Sequence, residues 1–293
     1  MRLALKLMSV LPLWLLHAIG GMLGWAVFLM SGVYRRRFLQ NAHQAGVGVH
    51  EWRLAVGQAG KMVTELPRLW LGTIPVVQWR GQEHVEQAIS AGRGVIVLTP
   101  HLGSFEASAQ AYALLYGQSG HPLTVLFRPP RQAWLRNWVV ASRTRPGMAS
   151  APTNLAGVRQ LLRALKRGES VALLPDQVPP EGQGLWTPFF GRDAYTMTLS
   201  ARLASQTGAT VLIAWCERLT WGRGYIIHVT RLVTDISGDL AQATVHINRA
   251  MEAVVRQSPG QYLWGYARYK APTSQVVGNQ TLNAPEASAG DTV

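Results

Sequence analysis

Short apolar runs alternate with helical segments through the chain, and this alternation limits the fold more than any other feature. The runs are of strand type, and the segments between them have the spacing of helices. The strand-type runs are 94–99, 123–127, 170–174, 210–215 and 225–230, and the helical segments are 104–116, 132–142, 154–167, 196–207 and 238–257. We therefore predict an α/β fold with a mixed, largely parallel sheet flanked by helices.

An apolar segment precedes this pattern. Residues 7–32 carry no formal charge, and as one helix they would be about 39 Å long, against a hydrocarbon core of about 30 Å. Pro12 and the pair Gly20–Gly21 also fit a bent helix that lies in one leaflet. Arginines follow at 35–37, and positive charge beside a membrane segment favours the cytoplasmic side. We expect residues 1–33 to form a membrane anchor.

The rest of the chain divides by composition. Residues 34–72 have helical spacing that Pro67 interrupts, so the body begins with helices. From residue 271 onward there is no Lys or Arg, and small polar residues with Pro and Gly dominate. We assign residues 34–272 to one folded domain and 273–293 to a flexible tail.

The chain is strongly basic. It has 28 Lys and Arg against 15 Asp and Glu, a net charge of +13, which suits anionic partners such as acidic lipid, phosphorylated substrates, an acidic carrier protein or nucleic acid. Residues 121–168 hold nine basic residues and no acidic one, so we interpret them as an anion-binding surface. Nucleic acid is disfavoured, because no recognised module for it is visible in the sequence.

The single cysteine, Cys216, lies beside an apolar run. One thiol cannot form an internal disulfide, and no Cys/His zinc cluster can be assembled around it. We predict a buried core thiol.

Residues 99–106 hold the first candidate for chemistry. They follow a predicted strand and open a predicted helix, and ligands collect at the carboxyl ends of strands in open α/β sheets. Glu106 would fall in the first helical turn, with Ser104 as N-cap and Gly103 in a tight bend. Such a turn can bring the carboxylate to the His101 imidazole, where it would fix the tautomer and stabilise the protonated ring. The alternative is a surface histidine beside a helix-capping glutamate.

A second candidate lies at another strand end. Asp176 and Gln177 follow the apolar run 170–174. The spacing alone leaves open whether Asp176 has a functional role or caps a turn.

Several motifs stand in an order that resembles a known family. They include His101-Leu-Gly-Ser-Phe-Glu106, Phe127-Arg-Pro-Pro130, Gly157-Val-Arg159, Leu174-Pro-Asp-Gln177, Pro188-Phe-Phe-Gly191 and the block from Gln261 to Lys270. Together with the apolar N-terminal segment they resemble the late acyltransferases of lipid A biosynthesis, in the lysophospholipid acyltransferase superfamily. The resemblance covers nearly all of the chain except the tail. It implies a glycerolipid acyltransferase-like fold for residues 34–272.

The resemblance implies roles for named residues. His101 and Glu106 would be the catalytic dyad, with His101 as general base and Glu106 holding it. The residues expected to bind substrate are Arg128, Arg159, Asp176, Gln177 and Arg268.

The resemblance also implies a function. The protein would be a membrane-bound O-acyltransferase that moves a fatty acyl chain from a thioester, that of acyl carrier protein, to a hydroxyl of a phosphorylated lipid A precursor. It would lie in the bacterial inner membrane with its catalytic domain facing the cytoplasm. No cofactor or metal is expected, because a thioester is already activated. Two alternatives stay open: the same chemistry on a lysophospholipid or another lipid, and a non-catalytic membrane protein that binds anionic lipid.

Overall fold

The computed structural model describes residues 2–127, 145–234, 236 and 238–273, and these residues build a helix-flanked sheet. The strands are β1 (Val77–Arg80), β2 (Val95–Leu98), β3 (Leu123–Phe127), β4 (Met148–Pro152), β5 (Ser170–Leu173), β6 (Gly184–Phe189), β7 (Arg192–Met197), β8 (Thr210–Arg218) and β9 (Tyr225–Arg231). The helices are α1 (Arg2–Val10), α2 (Leu13–Met30), α3 (Gly32–Gln44), α4 (Val49–Thr64), α5 (Leu66–Leu71), α6 (Gln82–Ser90), α7 (Phe105–Tyr112), α8 (Leu155–Lys166), α9 (Leu199–Thr207) and α10 (Leu240–Gln257).

Seven of the strands form one sheet in the order β1-β9-β8-β2-β5-β3-β4. Only the β8–β9 neighbours in this sheet are antiparallel, which confirms the predicted mixed, largely parallel α/β fold. Alternate side chains fill opposite faces, as a strand requires. On one face Leu98 and Ile213 belong to an apolar core shared with α8, α9 and α10, and on the other Ala172 and Leu212 pack with α6 and α7.

Each predicted strand overlaps an observed one, although β8 and β9 extend beyond the predicted ends, and four observed strands were not predicted. β1 and β4 are short, and β6 and β7 form a separate antiparallel hairpin. The two-residue turn of this hairpin is Phe190–Gly191, with φ of 48° and 75°. Sequence rules look for Asn-Gly or Asp-Gly at such a turn, because a bulky residue rarely adopts positive φ.

Residues 128–144 and 274–293 lie outside the described residues. The predicted helix 132–142 and nearly all of the predicted tail fall in these two ranges.

The N-terminal apolar segment is broken at Pro12 into α1 and α2. Among the described residues, α2 is the one helix long and apolar enough to cross a membrane, at 18 residues or about 27 Å. It packs along α4 through glycines: a Cβ atom added to Gly60 would overlap the Gly20 carbonyl oxygen. This close crossing buries Leu16 and Phe28, so one side of α2 belongs to the protein core.

The helical region 34–72 is divided into α3, α4 and α5. The break between α4 and α5 falls at Glu65, two residues before the predicted interruption. Pro67 stands in the first turn of α5, where its missing N–H group costs no hydrogen bond.

Candidate active site

His101 and Asp176 meet at the carboxyl ends of two neighbouring strands. β2 and β5 are parallel, and Leu98 pairs with Leu173. Each of the two polar residues follows three positions later, so the register of the sheet brings them together. His101 Nδ1 lies 2.7 Å from Asp176 Oδ1, and the His101 backbone N–H donates to Asp176 Oδ2 at 2.8 Å.

The Asp176 carboxylate is buried and charged. Its side chain is 2% exposed, and the Tyr262 hydroxyl donates to Oδ2 at 3.1 Å. Burial alone would raise the pKa of Asp176, but the contacts with His101 and the nearby charge of Arg268 outweigh it and lower the pKa. The ionised carboxylate therefore accepts a hydrogen bond from Nδ1–H, and the lone pair of the imidazole lies on Nε2.

The second ring nitrogen of His101, Nε2, faces the side-chain amide of Gln177. The two Nε2 atoms lie 3.0 Å apart, so the amide donates to the imidazole lone pair. Both His101 and Gln177 line a large cavity. A hydroxyl group that took the place of the amide would donate its hydrogen bond to the atom that can remove its proton.

Glu106 lies in the first turn of α7, as expected, but the carboxylate at Nδ1 of the imidazole is that of Asp176. The Oε2 atom of Glu106 accepts the indole N–H of Trp70 at 3.0 Å. The predicted task of fixing the His101 tautomer therefore belongs to Asp176 in this structure. Glu106 also lines the cavity, and its catalytic role stays a prediction.

Gly103 permits the turn that carries His101. Its φ is +60°, and a Cβ atom there would overlap the Cys216 carbonyl oxygen. Its N–H donates to the Gln261 carbonyl at 3.1 Å, and the Ser104 N–H donates to the Cys216 carbonyl at 2.8 Å. These bonds fix residues 101–104 between β8 and the segment after α10.

A buried ion pair lies beneath this turn. The Glu65 carboxylate is 1% exposed and accepts from the Arg218 guanidinium at 2.8 and 2.7 Å. It also accepts from the Ser104 hydroxyl at 2.7 Å, from the Tyr225 hydroxyl at 3.0 Å, and lies 3.1 Å from His17 Nε2 on α2. Burial alone would raise the pKa of Glu65, but the bound guanidinium outweighs it and lowers the pKa to about 2.

This cluster was not predicted from the sequence. Ser104 stands at the N-cap position of α7, as expected, but its hydroxyl donates to Glu65 and makes no capping bond. Arg218 adds a bond from its guanidinium to the Gly103 carbonyl at 3.0 Å. The cluster thus connects α2, the α4–α5 junction and the turn that carries His101.

The cavity has a volume of about 980 Å³, at the upper end of the range for ligand sites. His101, Glu106 and Gln177 give it one polar region. Apolar side chains of the sheet and of α7 line another part, among them Val97, Val125, Ala172, Leu212, Ala214 and Tyr112. The arrangement can hold a long apolar chain with its polar end at the imidazole.

Two further predicted site residues that the structure describes, Arg159 and Arg268, do not line the cavity. Arg159 is exposed on α8, and Arg128 lies outside the described residues. Arg268 is 3% exposed and donates to the Tyr195 carbonyl at 2.7 Å and the Thr196 hydroxyl at 2.6 Å. It is not among the described residues that line the cavity, and its position behind Asp176 supports the charge of that carboxylate.

The Cys216 thiol is fully buried, as predicted, and burial raises its pKa.

Residues 60–271 match the family model described as bacterial lipid A biosynthesis acyltransferase. The chain belongs to this family. It is 28% identical over 204 residues to the lipid A biosynthesis palmitoleoyltransferase of Escherichia coli, a match that covers 69% of this chain and 63% of that protein. It is 23% identical over 241 residues to the lipid A biosynthesis lauroyltransferase of Escherichia coli, with 80% and 72% covered.

A lipid A biosynthesis acyltransferase of Haemophilus influenzae is 27% identical over 187 residues, with 63% of this chain and 56% of that protein covered. The chain thus matches less than two thirds of the length of the palmitoleoyltransferase and of this relative. Its membership of the family confirms the resemblance that the motifs indicated.

Proposed function

We propose that the protein is a membrane-bound O-acyltransferase. It moves a fatty acyl chain from the thioester of acyl carrier protein to a hydroxyl of a lipid A precursor. The observation that carries the proposal is the His101–Asp176 pair beside a cavity with an apolar part, in a chain of the lipid A acyltransferase family.

His101 acts as the general base. Its Nε2 takes the proton of the acceptor hydroxyl as the oxygen attacks the thioester carbonyl, and Asp176 stabilises the imidazolium that forms. The tetrahedral intermediate collapses, the C–S bond breaks, and the imidazolium returns the proton to the thiolate. An ester and a free carrier thiol result.

The intermediate needs a donor for its oxyanion. The N–H groups of Gly103 and Ser104 already donate to Gln261 and Cys216, so they are not the source. We assign the task to the positive end of α7, whose first residue, Phe105, packs against the His101 ring at 5.0 Å between ring centres. Arg128 is the second candidate.

The carrier docks on α8. The exposed side of this helix and its end carries Arg159, Arg163, Lys166 and Arg167, and an acyl carrier protein is acidic. Leu155 and Val158 of the same helix line the cavity, so a carrier bound there would deliver its acyl chain directly. Charge of this kind acts mainly on the association rate.

The protein lies on the cytoplasmic face of the bacterial inner membrane, with α2 in a single leaflet. The packing of α2 along α4 supports this, because α4 carries Glu51, Arg53 and Lys61 and would be costly to surround with hydrocarbon. The opposite side of α2 exposes large apolar side chains, including Met22, Val27 and Leu29, as an interfacial helix does.

The test is acyl transfer by purified full-length protein, with acyl carrier protein thioester and a lipid A precursor, read by mass spectrometry. We expect one added acyl chain, and a rate about 10²–10⁴ lower in His101→Ala. His43→Ala, on the exposed side of α3, is the matched control and keeps the rate. Transfer only to a lysophospholipid would assign the alternative acceptor. Unchanged turnover in His101→Ala would refute the mechanism.

A further inference from the structure

The turn between β8 and β9 presents a tryptophan to solvent. Trp221 is 87% exposed, and its backbone is left-handed, with φ 59° and ψ 23°. A bulky side chain rarely adopts this conformation, because its Cβ atom crowds the backbone. Neither the core nor the cavity uses this indole, so its exposure is not explained by packing or by the chemistry of His101.

The turn is held against the start of α2. A Cβ atom on Gly222 would overlap the backbone nitrogen of Trp14, and one on Gly224 would overlap the Val76 carbonyl oxygen. Both glycines have positive φ, at 67° and 101°. These close approaches fix the turn next to α2, so the position of Trp221 relative to that helix is set by the backbone.

The surroundings of the turn are apolar and basic. Trp14 and Val76, which the two glycines of the turn approach, are 55% and 70% exposed. Arg223, in the turn itself, is also exposed and donates to the Thr220 hydroxyl at 2.9 Å. Apolar residues with a basic edge suit a leaflet that contains anionic lipid.

We propose that Trp221 is a second membrane contact, which places its indole in the headgroup region of the leaflet that α2 occupies. The proposal rests on the membrane-bound part of the proposed function and extends it to a residue of the catalytic domain. Indole rings favour this region, because one edge is polar and the rest is apolar.

The single native cysteine makes a site-specific test possible. Cys216 is fully buried, so in Trp221→Cys a maleimide carrying the environment-sensitive fluorophore NBD reacts at position 221. Full-length labelled protein is mixed with vesicles of phosphatidylcholine and phosphatidylglycerol in equal parts. We expect the emission to shift to the blue and to be quenched by lipids that carry a spin label near the headgroup.

Two further positions serve as controls. Val27→Cys, on the exposed side of α2, reports whether that helix contacts lipid. The second control is Val233→Cys. Val233 is 94% exposed and lies beyond the other end of β9, about 23 Å along the strand. We therefore expect a label at this position to stay in water. A separate unlabelled variant, Trp221→Ala, should lower the vesicle partition coefficient about tenfold.

The outcomes separate the two proposals. If the label at position 27 stays in water, the membrane-bound part of the proposed function fails. If position 27 contacts lipid and position 221 does not, the inference about Trp221 is overturned. It is also overturned if the blue shift at position 221 equals that at position 233, or appears without vesicles and grows with protein concentration, since the second result would mean that copies of the chain pack there.

Discussion

Replacing Glu65 by glutamine should destabilise the protein more than any exposed acidic substitution. The change keeps the size of the side chain and removes its charge. Arg218 is then left fully buried without a counter-ion, and the bonds from Ser104 and Tyr225 lose a charged acceptor. We therefore expect the whole junction of α2, α5 and the turn that carries His101 to weaken.

The magnitude follows from the pKa of Glu65. It falls from an ordinary value of 4.5 to about 2 in the fold. Each tenfold change in acidity is worth about 1.4 kcal/mol, which makes the contribution about 3 kcal/mol at neutral pH. Breaking a buried ion pair costs about 3–5 kcal/mol, a similar size. A loss of about 3 kcal/mol lowers the Tm by about 6–12 °C.

The sign of the pH dependence can be tested as well. Because the folded pKa is the lower one, this stabilisation is complete above pH 4.5 and is lost as the pH falls toward 2. Between pH 5 and pH 3, the wild-type Tm should therefore fall more steeply than the Tm of Glu65→Gln. Thermal unfolding of full-length protein in one detergent, followed by tryptophan fluorescence, measures both curves.

Glu169→Gln is the matched control. Glu169 Oε1 lies 2.6 Å from Arg167 Nε, but the Arg167 side chain is 58% exposed, and such pairs contribute about 0–1 kcal/mol. We expect a Tm within about 4 °C of wild type. Equal Tm values for the Glu65 and Glu169 variants at pH 7 would refute the assignment of the buried pair as a main support of the site.

Four more substitutions test the packing of α2 on α4, the turn that carries His101 and the donor surface on α8. Gly60→Ala should lower the unfolding free energy by about 1–3 kcal/mol in denaturant titrations, since α2 and α4 must separate. Ser104→Ala should lower kcat, because the turn that carries His101 loses its bond to the Glu65 carboxylate. Tyr225→Phe removes another bond to that carboxylate, away from the turn, and should lower only the Tm. Arg163→Glu should raise the KM for acyl carrier protein with little effect on kcat, in steady-state kinetics at low salt.

Each of these predictions would be contradicted by a specific result. Wild-type stability in the Gly60 variant would mean that the two helices do not cross as closely as described. Equal kcat values for the Ser104 and Tyr225 variants would reduce the cluster to a structural role. A shift confined to the acceptor KM in the Arg163 variant would assign α8 to the phosphates of the lipid.

The sequence predicted the layers of the fold because they depend on local patterns. Each apolar run that it identified overlaps a strand, and His101 lies just beyond a strand end as expected. The sequence analysis named Glu106 as the partner of His101 and did not place Asp176 at Nδ1, because that contact depends on which strands are neighbours. Asp176 and Glu106 are both close to strand ends in the sequence, and the β2–β5 pairing selects Asp176.

The buried cluster around Glu65 and Arg218 could not be predicted from the sequence for a similar reason. Glu65 and Arg218 are 153 positions apart, and nothing in the periodicity of α4 or β8 marks them as partners. The β6–β7 hairpin was missed because Phe190 adopts positive φ where a small residue is usual. There its N–H donates to Glu252 and its carbonyl accepts from Gln44, so contacts distant in sequence sustain a conformation that local rules disfavour.

The link from α2 through Glu65 to Ser104 has a kinetic consequence. If α2 lies in the leaflet, as we propose, hydrogen bonds rather than a linker set the height of His101 above the lipid. The enzyme cannot reach outward for its acceptor, so the acceptor has to arrive by lateral diffusion. Turnover should then follow the mole fraction of acceptor in the surface, and dilution with inert lipid at constant bulk concentration should slow it.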